Sequence, residues 1–246
     1  MNRTVVRYRS FVTAAVLGLF LSGLSVMPSQ AQSVQPQINL GTSANYVLLA
    51  HTAITNGATT VITGSSSRIV GISPGIADEG TVASTLFSGA TEFQNATDAP
   101  TIAQAALQNA ITYMNTLIPT VVSANLSLAA DSTMFPGIYT TPDGAAMSVD
   151  GNLTLDARGD PNAIFVFETP SALNTTSGVT VFLTNGAKAS NIYWLVGAGL
   201  TFGASSTMYG NFLVAAGTTI GASSILQGRV LSQNSITLGA SVVLIS

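Results

Sequence analysis

The sequence predicts a mainly β chain: a solenoid of three-sided coils, a triangular β-helix, with one long α-helix packed alongside. Three observations predict it. First, the C-terminal fifty residues align with themselves at a constant interval of eighteen: Leu-Thr-Phe-Gly-Ala-Ser-Ser-Thr begins at Leu200, Thr-Thr-Ile-Gly-Ala-Ser-Ser-Ile at Thr218, and Ile-Thr-Leu-Gly-Ala-Ser-Val-Val at Ile236. A short fixed period marks a solenoid, and glycine breaks with no helical apolar stripe make its unit a β coil of three short strands and three corners. Second, short apolar strands recur at equivalent places: Ile138-Tyr139, Ala163–Phe167, Ile192–Val196, Phe212–Ala215 and Val230-Leu231. Third, a single segment, about 99–118, carries apolar residues at helical spacing.

Taken in order, the chain opens with Arg3, Arg7 and Arg9, an apolar run from Phe11 to Met27, and Pro-Ser-Gln-Ala ending at Ala31. Those are the three parts of a secretory signal peptide, residues 1–31, cleaved after Ala31 and followed by one domain over 32–246. A single membrane anchor is the alternative reading of that run; no other apolar stretch of membrane length follows. Ile38 to Gly71 reads as strands and turns, including Tyr46–Ala50 and Val61-Ile62-Thr63. Thr63-Gly-Ser-Ser-Ser67 resembles the Gly-Ala-Ser-Ser corner of the C-terminal rows, which places a coil-like unit near the start. Asp78 to Asn95 is irregular. Asp98 is suited to an N-cap, with Pro100 in the first turn. Ala103, Leu107, Ala110, Ile111, Met114, Leu117 and Ile118 form the stripe, and Pro119 ends it. Solenoid strands resume near Leu126. Ala163–Phe167 and Ile192–Val196 are apolar at nearly every position, as strands buried on both faces are, so that side is expected under the helix.

Charge narrows the function. Beyond residue 31 four basic residues remain (Arg68, Arg158, Lys188, Arg229) against ten acids, a net charge of −6. That disfavours nucleic acid and anionic membranes as partners. From Ala189 to Ser246 the only charged residue is Arg229, and from Gln32 to Ser67 there is none. Large areas therefore meet water with Thr, Ser, Ala, Gly and Asn, whereas ordinary soluble surfaces carry far more charge. There is no cysteine, so disulfides do not hold the fold.

Candidates for catalysis are weak. Asp143, Asp150, Asp156 and Asp160 sit in or beside corners, where Asp and Gly are turn formers. Glu168 ends the apolar strand Ala163–Phe167 and could pair with Arg158. His51, the single histidine, has no cysteine or second histidine for a zinc site, and no nucleophile-elbow motif accompanies it. No glycine-rich phosphate loop precedes a helix, and no metal or cofactor is expected. Arg158-Gly159-Asp160 is an Arg-Gly-Asp tripeptide, a three-residue match only.

The candidate site is instead a surface. Phe202, Ile220 and Leu238 form one inward column of the rows, so Thr201, Thr219 and Thr237 point outward. Stacked at strand spacing, roughly 4.7–4.9 Å, they make a threonine ladder on a flat face. Ser205, Ser223 and Ser241 adjoin it, and Thr207 and Thr218 complete the candidate residues. A structural reading is also open, because Thr favours strands for its own sake.

Several longer motifs carry a family resemblance: Ile38-Asn-Leu-Gly-Thr-Ser-Ala-Asn-Tyr46, Leu153-Thr-Leu-Asp-Ala-Arg-Gly-Asp-Pro-Asn-Ala-Ile-Phe-Val-Phe167, Asn185-Gly-Ala187 leading to Asn191-Ile-Tyr-Trp-Leu-Val-Gly197, Gly210-Asn-Phe-Leu-Val-Ala215 and Gly228-Arg-Val-Leu231. In this order, from about Ile38 to Ser246, they resemble the microbial type 1 ice-binding, or antifreeze, proteins. The resemblance implies a discontinuous right-handed β-helix with a long helix beside it, the first coil in sequence stacking on the last and covering Val242–Ser246. It implies adsorption to the ice crystal surface through one flat face, thermal hysteresis and inhibition of ice recrystallisation, with no cofactor and no enzymatic activity. Family members often carry Thr-rich motifs where this chain has Ala204–Thr207; serine largely replaces threonine here. A secreted, extracellular monomer is the expectation. A secreted adhesion or matrix module is the competing class, and a carbohydrate-active enzyme a third.

Overall fold

Strands of two to eight residues, broken by glycine corners, supply most of the regular secondary structure of the protein, a computed structural model that describes residues 35–65, 68–74, 87–95, 98–122, 127–128, 132–142 and 144–246. Residues 1–34, which include the expected signal peptide, lie outside the described residues, as do Ser66, Ser67, 78–86, Leu126 and Asp143. Among the described residues the strands form parallel sheets of twelve, seven and three strands, accompanied by one α-helix, Asp98–Met114. The protein is mainly β. From Ile192 onward the chain alternates between two sheets. Ile192–Val196, Thr207–Val214 and Ile225–Ser232 pair in the broad sheet, and Leu200–Phe202, Thr218–Ile220 and Ile236–Leu238 pair in the seven-stranded one. Every apolar strand expected to be equivalent is a neighbour in register, with Tyr139, Phe167, Trp194, Phe212 and Val230 in one rank.

That rank points into the core. Tyr139, Phe167, Trp194 and Phe212 stack as near-parallel rings, with centroids 5.3, 4.2 and 5.5 Å apart. Ring pairs of this kind add about 0.5–1.5 kcal/mol each to what burial supplies. The indole N–H, which could not be left unbonded in such a core, donates to the carbonyl of Tyr209 at 3.0 Å.

Three N-terminal strands pair with the C-terminal end of the chain. Tyr46–Ala50 lies beside Ile225–Ser232, with Leu48 opposite Val230. Ile54–Asn56 lies beside Ile236–Leu238, and Thr60–Thr63 beside Val243–Ile245. The last strand of the chain is thereby covered, and its backbone is not an open edge. The registers also correct one expectation. The unit matching the C-terminal rows is Ile54-Thr-Asn-Gly-Ala-Thr-Thr-Val61, and its corner begins at Gly57, seven residues before Gly64. Thr63 is opposite Ile245, already past the corner.

The helix lies against the outward side of the broad sheet. Ala103, Leu107, Ala110, Ile111 and Met114 share one apolar cluster with Leu49, Val166, Leu195, Leu213 and Leu231. It stops four residues earlier than its periodicity suggests. Thr116 N–H and hydroxyl both bond the Tyr113 carbonyl, and Leu117 N–H bonds that of Met114, and these three-residue bonds tighten the last turn. Leu117 is only partly buried, and Ile118, expected on the apolar stripe, is 83% exposed.

One charged group sits under this helix. In the outward rank Thr140, Glu168, Leu195, Leu213, Leu231 and Leu49 follow one another strand by strand. Glu168 does not pair with Arg158, whose guanidinium lies 3.7 Å from the centre of the Phe135 ring. One Glu168 carboxylate oxygen is buried without a hydrogen-bond partner, beside a cavity of about 390 Å³ lined by Ile111, Asn115, Thr169 and Leu195. Burial raises its pKa from 4.5 to about 7. Between those values the folded chain keeps a proton that the unfolded chain has released, so stability falls as pH rises through the window and is level above it. Glu168→Gln should flatten that slope and melt at a higher temperature than the parent above about pH 7. Melting curves across the window check this, and parallel curves for the two proteins would refute it.

Candidate functional site

The seven-stranded sheet presents one outward side chain per three-residue strand. Leu200–Phe202, Thr218–Ile220 and Ile236–Leu238 each bury their first and third residues and expose the second. Thr201, Thr219 and Thr237 are therefore exposed and directly opposite one another. The rank continues on both sides. Thr55 lies opposite Thr237, Asn174 opposite Thr201, and Ser148 opposite Asn174. Thr55 and Asn174 are exposed and Ser148 is half-buried. The result is a line of six short polar side chains, repeating at strand spacing of roughly 4.7–4.9 Å.

Behind the threonines the backbone turns into a corner built almost without side chains. A Cβ on Gly221 would lie 2.6 Å from the Ala204 nitrogen, and one on Gly239 would lie 2.5 Å from the Ala222 nitrogen. Only glycine lets successive corners approach this closely. Gly221 N–H donates to the Phe202 carbonyl at 3.0 Å and Gly239 N–H to that of Ile220 at 2.8 Å, so each corner is tied to the one before it. Ser205, Ser223 and Ser241 follow, all at φ 59°, exposed, in the left-handed region. That conformation costs an L-residue about 1–2 kcal/mol. Hydrogen bonds from Ser205 N–H to Ala222 O and from Ser223 N–H to Ala240 O, both 2.8 Å, hold it. Inside the corner, the buried hydroxyls of Ser206 and Ser224 donate to the Gly203 carbonyl at 2.7 and 3.1 Å. The face is thus a rigid array, with threonines, alanines and serines in separate ranks and no charged residue from Ala53 to Thr59 or from Gly199 to Ser205, Gly217 to Ser223 and Ser235 to Ser241.

Two candidate residues leave the array. Thr218 points inward between Leu200 and Ile236, is 2% exposed, and its hydroxyl meets no hydrogen-bond partner. The alternation that exposes Thr219 buries its neighbour. Thr207 is half-buried and lies past the corner, opposite Thr180 and Ile225. Thr55, Thr59, Asn174 and Ser148 were not among the candidates. The signal for Thr55 and Thr59 is the segment Ile54–Val61, which reads in line with the C-terminal rows once its register is known.

Among the described residues no three His, Cys, Asp or Glu side chains are grouped so as to hold a metal. Asp150 receives the Ser148 hydroxyl at 2.8 Å, and Asp156 accepts Arg158 N–H at 2.7 Å and the Asn185 amide at 2.9 Å. These hydrogen bonds hold the Asp156 carboxyl below its usual range, the Arg158 N–H most of all. Asp160 accepts Asn162 N–H at 2.9 Å. All three are turn carboxylates.

A ranked, charge-free face of this kind agrees with what the chain resembles. The profile of the ice-binding-like family matches residues 48–244. The chain belongs to the ice-binding-like family. An ice-binding protein of Nostoc sp. (strain HG1) is 35% identical over 181 residues, which are 71% of this chain and 61% of that protein. One from Flavobacterium frigoris (strain PS1) is 31% identical over 188 residues, 72% of this chain and 64% of that protein. This chain therefore spans somewhat under two thirds of those two relatives. Among solved structures of the family, an ice-binding protein from an Antarctic biological consortium superposes with a TM-score of 0.76 at 30% identity, over 90% of this chain and 96% of that one. One from the Antarctic ascomycete Antarctomyces psychrotrophicus superposes with a TM-score of 0.75 at 29% identity, over 84% and 97%.

Proposed function

We propose that this chain is an ice-binding protein, not an enzyme, and that it adsorbs to ice through the exposed rank Thr55, Thr237, Thr219 and Thr201 with the corner residues Thr59, Ser241, Ser223 and Ser205. The fold that carries the face is a discontinuous, right-handed β-helix of triangular section, its first coil stacked on its last and the helix along a second side. The chain acts as a secreted, extracellular monomer once residues 1–31 are removed, with the ice surface as its partner and without nucleic acid, membrane or cofactor. Adsorption gives thermal hysteresis and inhibits recrystallisation.

The observation that carries this reading is the uncharged threonine rank held in register at strand spacing. A charged group keeps its own hydration shell and disturbs ordered water beside it. Threonine offers a methyl group beside which water orders and a hydroxyl that anchors that water. The adhesion reading rests on Arg158-Gly159-Asp160, which does sit in a turn with φ of 53° and 86° at its first two residues. Its arginine is engaged on Phe135 and its carboxylate on Asn162 N–H, which favours the structural role. Partition into a slowly growing ice ball is the test. The labelled protein should enter the ice while a control protein of similar size stays in the liquid. Exclusion from the ice would reject the reading.

A further inference from the structure

The helix is fastened to the sheet unevenly. Its first half is tied by polar side chains. The Thr101 hydroxyl pairs with that of Ser73, the Gln104 amide donates to the Ser232 carbonyl at 3.1 Å, and the Gln108 and Gln233 amides pair. Among the described residues no hydrogen bond joins residues 109–118 to the sheet. The Thr112 and Thr116 hydroxyls return to the helix's own carbonyls, those of Gln108 and Tyr113. The chain is tied again at Thr120, whose N–H donates to the Ile138 carbonyl at 2.8 Å and whose hydroxyl accepts Ile138 N–H at 2.9 Å. Between the two ties the helix is kept down by apolar contact through Ile111 and Met114, while Asn109, Asn115, Thr116 and Ile118 are exposed.

The buried carboxylate lies beneath the untied half. Ile111 and Asn115 line the cavity at Glu168 from the helix, and Thr140, Thr141, Thr169 and Leu195 line it from the sheet. Among the described residues no cation lines it. The other ionisable groups of these elements, Asp98 and Tyr113 on the helix and Tyr193 and Arg229 on the sheet, do not line it either. The Thr141 and Thr169 hydroxyls both donate to the Ala145 carbonyl, at 2.8 and 3.0 Å, and not to Glu168. An ionised carboxylate is costly here, because one of its oxygens meets neither water nor a donor. The sheet cannot relieve that cost. Glu168 is fixed between Thr140 and Leu195 in parallel register, and its carbonyl accepts Thr141 N–H at 3.3 Å. The part that can move is the cover.

We infer that residues 109–118 are a flap, hinged after Gln108, that detaches from the sheet and hydrates Glu168 when its carboxylate ionises. None of these residues belongs to the threonine rank, so the inference does not depend on ice binding. With the flap closed Glu168 titrates at about 7, and with it open near the ordinary 4.5. Opening therefore releases a proton between those values, is favoured as pH rises through the window, and levels off above it. Hydrogen exchange reads the opening, as protection factors for the amides of Thr112 to Leu117. In the chain begun at Gln32, that protection should fall roughly tenfold between about pH 5 and about pH 8, less than the full shift would give because Glu168 keeps partial access to water. Amides of the core strands Ile192–Val196 and Thr207–Val214 should remain far better protected at both values, since their exchange needs global unfolding. Glu168→Gln keeps the shape without the charge and should hold flap protection level across the range. Three results would overturn the flap: level protection in the parent, flap amides as well protected at the higher pH as the core strands, or a fall that persists unchanged in Glu168→Gln.

Discussion

Deleting residues 38–71 should produce a chain that aggregates instead of a smaller folded protein. Those residues are far in sequence from the C-terminal strands but cover them in space. Tyr46–Ala50, Ile54–Asn56 and Thr60–Thr63 pair with Ile225–Ser232, Ile236–Leu238 and Val243–Ile245. Their removal strips a layer of backbone hydrogen bonds from three strands at once. An exposed, flat, apolar strand edge of that kind recruits other chains. Packing is lost as well. Tyr46, Val47, Leu48, Leu49, Ile54, Ile62 and Val70 are all buried. Full burial of one such side chain contributes about 1.5–3 kcal/mol, so several together match the whole stability of an ordinary domain, about 5–15 kcal/mol. The helix suffers too, because Leu40, Tyr46 and Leu49 belong to the cluster that holds it. Light scattering and a thermal melt of the chain begun at Gln32, with and without the deletion, are the measurements. A monomer with a cooperative melt would show that the N-terminal strands are dispensable.

What could be read from the sequence was whatever repeats at constant spacing. The ranks Thr201, Thr219, Thr237 and Ser205, Ser223, Ser241 emerged because no insertion interrupts the last three rows, and the pairing holds them in register. The sequence reading places the N-terminal corner seven residues too late because Gly64 and the serines after it mimic a corner, while the true corner, Gly57-Ala58-Thr59, lacks serine. Alternation along the strand already assigns Thr218 to the core, and residue type alone does not reveal it. Glu168 was illegible for a different reason. At the end of an apolar strand a carboxylate reads as the point where the strand meets water. Only the tertiary position of the helix buries it in a rank of leucines. Thr55 and Asn174 were likewise supplied by strand order, because the rungs that carry them break the period of eighteen.

Thr219→Tyr should abolish most thermal hysteresis while leaving circular dichroism and melting temperature nearly unchanged. Thr219 is the middle residue of the three-threonine rank and is exposed, with Thr201 and Thr237 directly opposite on either side. Exposed substitutions away from special backbone usually move stability by no more than about 0.5 kcal/mol, and Thr219 lies in plain strand. The effect on ice should be far larger than one lost contact. Each hydroxyl–water contact contributes only about 0.5–1.5 kcal/mol net, so adsorption has to come from many contacts made together by a surface that loses little freedom on binding. The glycine corners and left-handed serines supply that rigidity, and rigidity is what makes the array vulnerable. A phenol ring in the centre holds the neighbouring rungs away from the crystal, and a stiff face cannot bend round it. The matched control is Gln227→Tyr, an equally bulky change at an exposed position on the strand Ile225–Ser232. Its hysteresis should equal that of the parent. If Gln227→Tyr loses hysteresis and Thr219→Tyr keeps it, the crystal is met by the surface bearing Ile225 and Val243, and the threonine rank is a product of strand propensity alone.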